Sequence, residues 1–486
     1  MRFILLFLLG LSAVFTSAQF WKRKSPDVIG VMNAPNAWAD SVFKTLTLEQ
    51  RLGQLFMVAA YSNTKETTEG RIDSLIRNYN VGGLIFMQGT PEKQGAQTNY
   101  YQSIAPTPLM IGMDAEWGLG MRLTGIKDLP RSMTLGATGD ERWAYELGKT
   151  MGRQCKLLGV HINFAPVMDI NNNPDNPVIN FRSFGEDKEN VTRKALAVAR
   201  GLQEEHVMAC SKHFPGHGDT NTDSHEDLPT ISASLYRMDS LELYPFREAV
   251  KKGIGATMVA HLNVPALGDS NHIPTTLSNR AIEELLQEEL KFKGLTFTDA
   301  LNMKGIAKFF SPGELEVRAL EAGNDVLLFA QDVPLAIGEI KKAIISGRLD
   351  EKEIDQKVKK ILRTKYWMGL SNLTTIDTNR LTERLQPEEN WELARTIYEE
   401  AVTLVKNDSC FLPILPSESE DVTVVIVGNG KNYDLLTENI QLSGRSKIFH
   451  LEWKEDNLYL KQLYDSLQYS QKIQFFIQIR NIFYIK

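Results

Sequence analysis

Short runs of apolar residues recur along the chain: Leu55–Ala59, Gly83–Met87, Leu109–Met113, Ile162–Ala165, Met208–Ser211, Ala256–Ala260, Leu295–Thr298 and Val326–Ala330. Most are continuous in apolar residues rather than alternating, the pattern of parallel strands covered on both faces. Amphipathic stretches lie between them, among them Trp143–Leu158, Val191–Glu205, Ser240–Lys252 and Asn279–Leu290, and Glu351–Tyr366 follows the eighth run. Ahead of the first run, Leu46–Gln54 reads as a helix start, with Thr47 and Gln50 at capping-box spacing. Eight strands alternating with helices predict an α/β fold of the (β/α)8 TIM-like barrel type. A doubly wound open sheet is the competing arrangement. It has less reason to stop at eight strands, and no Gly-x-Gly-x-x-Gly follows an early strand.

The barrel is expected over residues 40–370, closed by the Glu351–Tyr366 helix. Residues 371–416 read as a linker with one helix, Asn390–Thr403, and a proline-marked exit at Pro413 and Pro416. Val422–Gly428 is a new buried strand that opens a second α/β unit over residues 417–486. A unit of about 70 residues is small for an independent core. No acidic residue follows Asp465, and the segment is expected to be the truncated start of a C-terminal domain.

Composition narrows the function. Sixty acidic against 54 basic residues give a net charge of −6, which offers no extended basic surface for nucleic acid. Residues 1–18 combine Arg2, an apolar run from Phe3 to Val14 and the small residues Thr16-Ser17-Ala18, the pattern of a secretory signal cleaved after Ala18. The apolar run is short for a membrane span. A secreted, periplasmic or extracellular protein with no span in the mature chain is the expectation. Cys155, Cys210 and Cys410 are too few and too far apart for a disulfide framework or a metal site, so they are expected to be buried thiols.

In such a barrel, functional side chains sit at the C-terminal ends of strands and in the loops that follow. That filter selects Asp114, Glu116 and Arg122 after the third strand, Asp169 and Arg182 after the fourth, Lys212 and His213 at the end of the fifth, His261 and Asn263 after the sixth, and Asp299 after the seventh. Asp299 ends an apolar strand, where an unpartnered carboxylate is costly. It reads as a nucleophile for an electrophilic carbon or as an N-cap of the next helix.

The fifth strand runs into the densest chemistry of the chain, Lys212 to His225, which reads Lys-His-Phe-Pro-Gly-His-Gly-Asp-Thr-Asn-Thr-Asp-Ser-His. Asp223 against one imidazole nitrogen of His225 would fix the tautomer and leave the other nitrogen as a proton donor near neutral pH. A proton donor and a separate nucleophile are what a retaining glycosidase needs, although the usual donor is a carboxylic acid. The bland reading is a polar surface loop. Lys212, His213, Arg122, Arg182 and Asp114 suit a polyhydroxylated ligand or a set of salt bridges. Trp117 fits stacking on a sugar face or simple packing. His213, His217, Asp219, Asp223 and His225 also resemble metal ligands. Against a metal, Lys212 adjoins the cluster and no helical His-x-x-x-His pair is present. No metal or other cofactor is expected, and His217 has no assigned role.

The Lys212–His225 stretch resembles the signature of glycoside hydrolase family 3, in its β-N-acetylglucosaminidase branch. The resemblance continues through Asp114-x-Glu116 with Arg122, Asn163-Phe-Ala-Pro-Val-x-Asp169, Arg182-Ser-Phe-Gly185 and Thr298-Asp299-Ala-Leu-x-Met303. It implies a two-step retaining hydrolysis of terminal β-linked N-acetylglucosamine from cell-wall fragments or chitin-like oligosaccharides. By the same resemblance, Asp299 forms the covalent glycosyl-enzyme and His225, assisted by Asp223, serves as acid and then base. Asp114, Arg122, Arg182, Lys212 and His213 would hold the sugar, so the small-molecule partner is a carbohydrate. A β-glucosidase-type or phosphate-using relative, and a sugar-binding protein without turnover, are the alternatives. The chain reads Asp-Ala-Glu-Trp-Gly-Leu from Asp114 where many relatives read Asp-x-Glu-Gly-Gly-Arg, which implies a different outer site.

Overall fold

The computed structural model describes residues 27–63, 69–221, 228–268, 273–404, 422–427, 447–451 and 472–477. By its internal contacts the chain divides into a unit ending at Val402 and a second unit from Thr403.

In the first unit eight strands form one parallel sheet: β1 (Phe56–Ala60), β2 (Gly83–Phe86), β3 (Met110–Met113), β4 (Ile162–Asn163), β5 (Met208–Phe214), β6 (Ala256–Val259), β7 (Leu295–Thr298) and β8 (Leu327–Leu328). Their order is β7-β6-β5-β4-β3-β2-β1-β8. The circle closes between β7 and β8 through a parallel bridge, Phe297 to Val326, with Thr298 N donating to Val326 O at 3.0 Å. Each expected apolar run overlaps one strand, with β5 running three residues further than expected, to Phe214, and β2 to β7 are buried at every position. Inside the barrel Phe164 meets Phe297 edge-on with ring centroids 5.4 Å apart. Truncating either ring to alanine would cost about 3–5 kcal/mol in lost transfer energy and cavity formation.

Helices cover the outside of the barrel. Glu141–Leu157 and Lys188–Glu204 bury one face each, and Thr47 and Gln50 make the reciprocal capping box that their spacing implied. The stretch expected over Ser240–Lys252 is helical only over Tyr244–Lys251, and a separate short helix, Leu235–Ser240, precedes it. Pro245 explains the break, since proline fits the first turn of a helix and not its interior. Arg280–Glu289, expected as an α-helix, is wound as a π-helix; nothing in its packing explains this.

Residues 371–402 pack on the barrel's flank. Leu381, Leu385 and Ile397 are fully buried, and the Glu92 carboxylate accepts from Thr382 N and Oγ1 at 2.8 and 2.9 Å. In the second unit, β9 (Val422–Val427) falls where a strand was expected, between the parallel strands β10 (Lys447–Leu451) and β11 (Lys472–Ile477). Cys155 and Cys210 are buried free thiols, and burial pushes Cys155 up to about 12. Cys410 lies outside the described residues, as do residues 1–26 with the expected signal. Among the described residues no helix is long and apolar enough to cross a membrane.

Candidate active site

The carboxylates after β3 organise one wall of the barrel mouth. Asp114 Oδ1 lies 2.9 Å from Lys212 Nζ, and Asp114 Oδ2 accepts from Arg122 Nη2 at 2.5 Å. Glu116 accepts two guanidinium N–H groups from Arg182, at 2.9 Å from Nε and 2.7 Å from Nη2, and Lys212 Nζ lies 2.8 Å from the same carboxylate. Lys212 is therefore a buried cation between two carboxylates, an arrangement that compensates its desolvation. Burial pushes both carboxyls up, but Lys212 with Arg122 at Asp114, and Arg182 with Lys212 at Glu116, outweigh it and hold both below their ordinary values. Burial lowers Lys212, and the two carboxylates more than reverse this.

The second wall comes from β4 and β5. The register of β5 against β6 shifts between Ser211 and Phe214, so the neighbours Lys212 and His213 both line the cavity. Asp169, fully buried, accepts from His213 Nδ1 at 2.6 Å, from His213 N at 3.2 Å and from His217 N at 2.6 Å. Burial raises Asp169 while His213 and these hydrogen bonds hold it below its ordinary value. His213 Nε2 sits 3.2 Å from Arg182 Nη2. Because guanidinium only donates, Nε2 accepts and Nδ1 is the protonated nitrogen facing Asp169.

The turn after β5 needs its glycines. Gly216 has a φ of +125°, and a Cβ on Gly218 would lie 1.7 Å from Ile170 O. Asn176 Nδ2 secures the same turn by donating to His217 O at 2.8 Å and Gly218 O at 3.0 Å. His217 lines the cavity with Nδ1 2.8 Å from Thr220 Oγ1, while its Nε2 is buried with no hydrogen-bond partner among the described residues. Burial pushes it down to about 4, so it is neutral near pH 7.

Asp299 faces this cluster from the end of β7. Its N–H donates to Val259 O at 2.9 Å, and its Oδ1 accepts from Ala300 N at 2.7 Å. Burial raises its carboxyl, but His261, His213, the Ala300 N–H and Lys212 hold it below the ordinary value, so it is ionised. The N-cap reading does not apply: the next helix, Lys304–Ala307, starts after Met303 and has no side-chain cap.

Asp114, Arg122, Arg182, Lys212, His213 and Asp299 thus line a single cavity of about 590 Å³. Trp117 is also on its wall, with the Arg131 guanidinium 4.5 Å from its ring centroid and Phe181 alongside. Asp223 and His225 lie outside the described residues. The chain on their C-terminal side is tied to the extension of β6, where Asn263 N donates to Pro229 O at 2.8 Å and Ile231 N to Asn263 O at 2.9 Å. Among the described residues no group of three or more His, Cys, Asp or Glu is arranged to hold a metal ion. Asp219 in particular is turned toward Arg237, at 3.6 Å.

Residues 47–364 match the glycosyl hydrolase family 3 N-terminal domain. The chain belongs to this family. It is 30% identical over 422 residues to beta-hexosaminidase A of Pseudoalteromonas piscicida, covering 77% of this chain and 69% of that relative. It is 32% identical over 332 residues to beta-hexosaminidase LpqI of Mycobacterium tuberculosis, covering 66% and 83%. A solved glycoside hydrolase family 3 beta-N-acetylglucosaminidase from Paenibacillus sp. str. FPU-7 matches with a TM-score of 0.75 and 33% identity over 89% of this chain and 84% of that one. This family 3 chain is a glycoside hydrolase built on a (β/α)8 barrel.

Three residues carry more of the site than sequence reasoning gave them. Glu116 and Asp169 fix Arg182, Lys212 and His213, and His261 adjoins the Asp299 turn. Their position at strand ends was the available signal. Their partners, 66 residues apart in the case of Glu116 and Arg182, were not readable from spacing.

Proposed function

We propose that this family 3 enzyme is a retaining exo-β-N-acetylglucosaminidase. The observation that carries the reading is the ionised Asp299 facing, across one cavity, a buried set of donors and acceptors suited to a single sugar's hydroxyls. The relatives named beta-hexosaminidase and beta-N-acetylglucosaminidase support the choice of sugar.

In the first step an Asp299 carboxylate oxygen attacks the anomeric carbon, and the bond from that carbon to the leaving oxygen breaks. His225 gives its proton to that oxygen, with Asp223 holding the imidazole. In the second step His225 takes a proton from water, the water oxygen bonds to the anomeric carbon, and Asp299 departs as carboxylate. Asp114, Arg122, Arg182, Lys212 and His213 hold the ring through charge-assisted hydrogen bonds, which fix its orientation to the nucleophile.

The test is release of p-nitrophenol from the β-N-acetylglucosaminide, expected to be much faster than from the β-glucoside. The opposite preference overturns the sugar assignment, and binding without turnover overturns the activity. Comparing rates with and without phosphate separates hydrolysis from phosphorolysis.

We place the enzyme outside the cytoplasm, acting on cell-wall fragments or chitin-like oligosaccharides, on the signal-like pattern of residues 1–18. Recovery of activity in the periplasm or medium, with a mature N-terminus at Gln19, is the expected result. Activity confined to the cytosol overturns it.

A further inference from the structure

Family membership and the cavity leave one buried imidazole beside Asp299 without a task. His261 is fully buried just past β6. Its Nε2 lies 3.0 Å from Ala300 O. A carbonyl only accepts, so Nε2 carries a proton whichever way the other nitrogen is satisfied. Its Nδ1 lies 2.7 Å from Thr276 Oγ1, and that hydroxyl is 2.7 Å from Ala260 O, so the ring is pinned from the opposite side.

Ala300 is the residue that places the Asp299 carboxylate. Its N–H holds Asp299 Oδ1 at 2.7 Å, its C=O is held by His261, and the next N–H, of Leu301, donates to Leu328 O on β8 at 2.9 Å. The Asp299–Ala300 turn is thereby fastened to β6 at two points, Val259 O and the His261 ring, and to β8 at one. A side chain that only filled space here would be apolar, since burying an imidazole costs free energy unless its nitrogens are hydrogen-bonded. The imidazole is also the first among the groups that keep Asp299 ionised against burial.

We propose that His261 is a positioning residue for the reaction. Through the Ala300 carbonyl it holds the Asp299 carboxylate at the attack distance, and it does not itself touch the sugar. The inference rests on Asp299 as nucleophile. Displacing a reacting group by about 1 Å costs on the order of 10²-fold in rate, which sets the expected effect.

The amide of asparagine occupies the place of Nδ1 and can still meet Thr276, whereas that of glutamine reaches the place of Nε2 and can still donate to Ala300 O. His261→Asn is therefore expected to lower kcat by roughly 10²-fold with KM nearly unchanged, and His261→Gln to restore most of kcat. The rate of covalent trapping by a 5-fluoro glycosyl fluoride should fall in parallel with kcat for His261→Asn. The assay uses whichever aryl β-glycoside the wild type hydrolyses fastest, so a wrong sugar assignment does not disturb it. Wild type that binds sugar without turning over any glycoside overturns the activity and this inference together. Active wild type with an equally active His261→Asn overturns this inference alone. So does a His261→Gln as slow as His261→Asn when both melt at the wild-type temperature, and so does a loss seen in KM rather than kcat.

Discussion

Arg182 and Glu116 meet through two N–H bonds of 2.7 and 2.9 Å, and the same guanidinium lies 3.2 Å from His213 Nε2. The carboxylate side chain is 1% exposed, so it is the internal counter-charge of both Arg182 and Lys212. Glu116→Gln leaves Arg182 against a neutral amide and Lys212 with Asp114 as its one remaining carboxylate of the pair. Breaking a buried pair in this way costs about 3–5 kcal/mol, far more than a surface pair. A clearly lowered melting temperature and a raised KM are expected; an unchanged melting temperature would show that the cluster adds nothing to stability.

Arg182→Lys tests geometry at constant charge. A lysine offers a point charge and cannot reproduce the fork that spans Glu116 while also reaching His213. Losing one charge-assisted bond, at about 1.5–3 kcal/mol, predicts a fall in kcat/KM of roughly 10- to 10²-fold. Steady-state kinetics on the aryl N-acetylglucosaminide decide it, and a variant matching wild type would remove Arg182 from substrate binding.

The barrel was legible because most of its strands fall in continuous apolar runs, recurring with amphipathic stretches between them. The helix start at Tyr244 was less so, because Leu241 and Leu243 extend the apolar pattern ahead of it and Pro245 is its marker. For the site, a strand-end filter found Asp114, Lys212, His213 and Asp299, which share the cavity. It could not rank Glu116 or Asp169 as the residues that fix the others, because ranking needs the pairings across strands. Only burial shows that His217 is neutral.

The pH dependence follows from the same charges. Asp299 is held below the ordinary carboxylate value, so it stays ionised through the neutral range, and its acid limb should lie below about pH 4. With His225 as the donor, the alkaline limb of kcat/KM belongs to an imidazole, near about pH 6–7, rather than to a carboxyl near about 4.3. Asp223→Asn should move that limb to lower pH, because it removes the charge that favours the imidazolium. An alkaline limb below about pH 5 in the wild type would point to a carboxylic acid donor instead.

Asp299→Asn is expected to reduce kcat by roughly 10⁴-fold or more while sugar binding persists, since it deletes the nucleophile and keeps the shape. Isothermal titration with N-acetylglucosamine beside the activity assay separates the two effects. Substantial residual turnover would mean that another group attacks the anomeric carbon. Dialysis against a chelator should leave wild-type activity unchanged, because His213 is paired with Asp169, Asp219 is turned toward Arg237, and no group of three ligands forms among the described residues; a loss restored by a divalent metal would reopen the metal reading of the Lys212–His225 stretch.

Asp169→Asn carries a sign that stability measurements can check. The folded carboxyl is held below its ordinary value of 3.8: burial opposes ionisation, and His213 with the N–H groups of His213 and His217 overcomes it. A group whose folded value is depressed contributes stability that is complete above the unfolded value and is lost as the pH falls through the folded one. The stability gap between wild type and Asp169→Asn should therefore be constant from neutrality down to about pH 5 and close below about pH 4, with a plateau of about 2–4 kcal/mol. The asparagine also has to set its amide N–H group against a donor, either His213 Nδ1–H or the His217 N–H, so the anchoring of the His213 ring and of the turn that follows it is weakened and KM should rise. Urea unfolding followed across this pH range decides the first point and substrate kinetics the second. A gap that widens as the pH falls would mean that Asp169 is stabilised in its protonated form, which the short contacts to three N–H donors argue against.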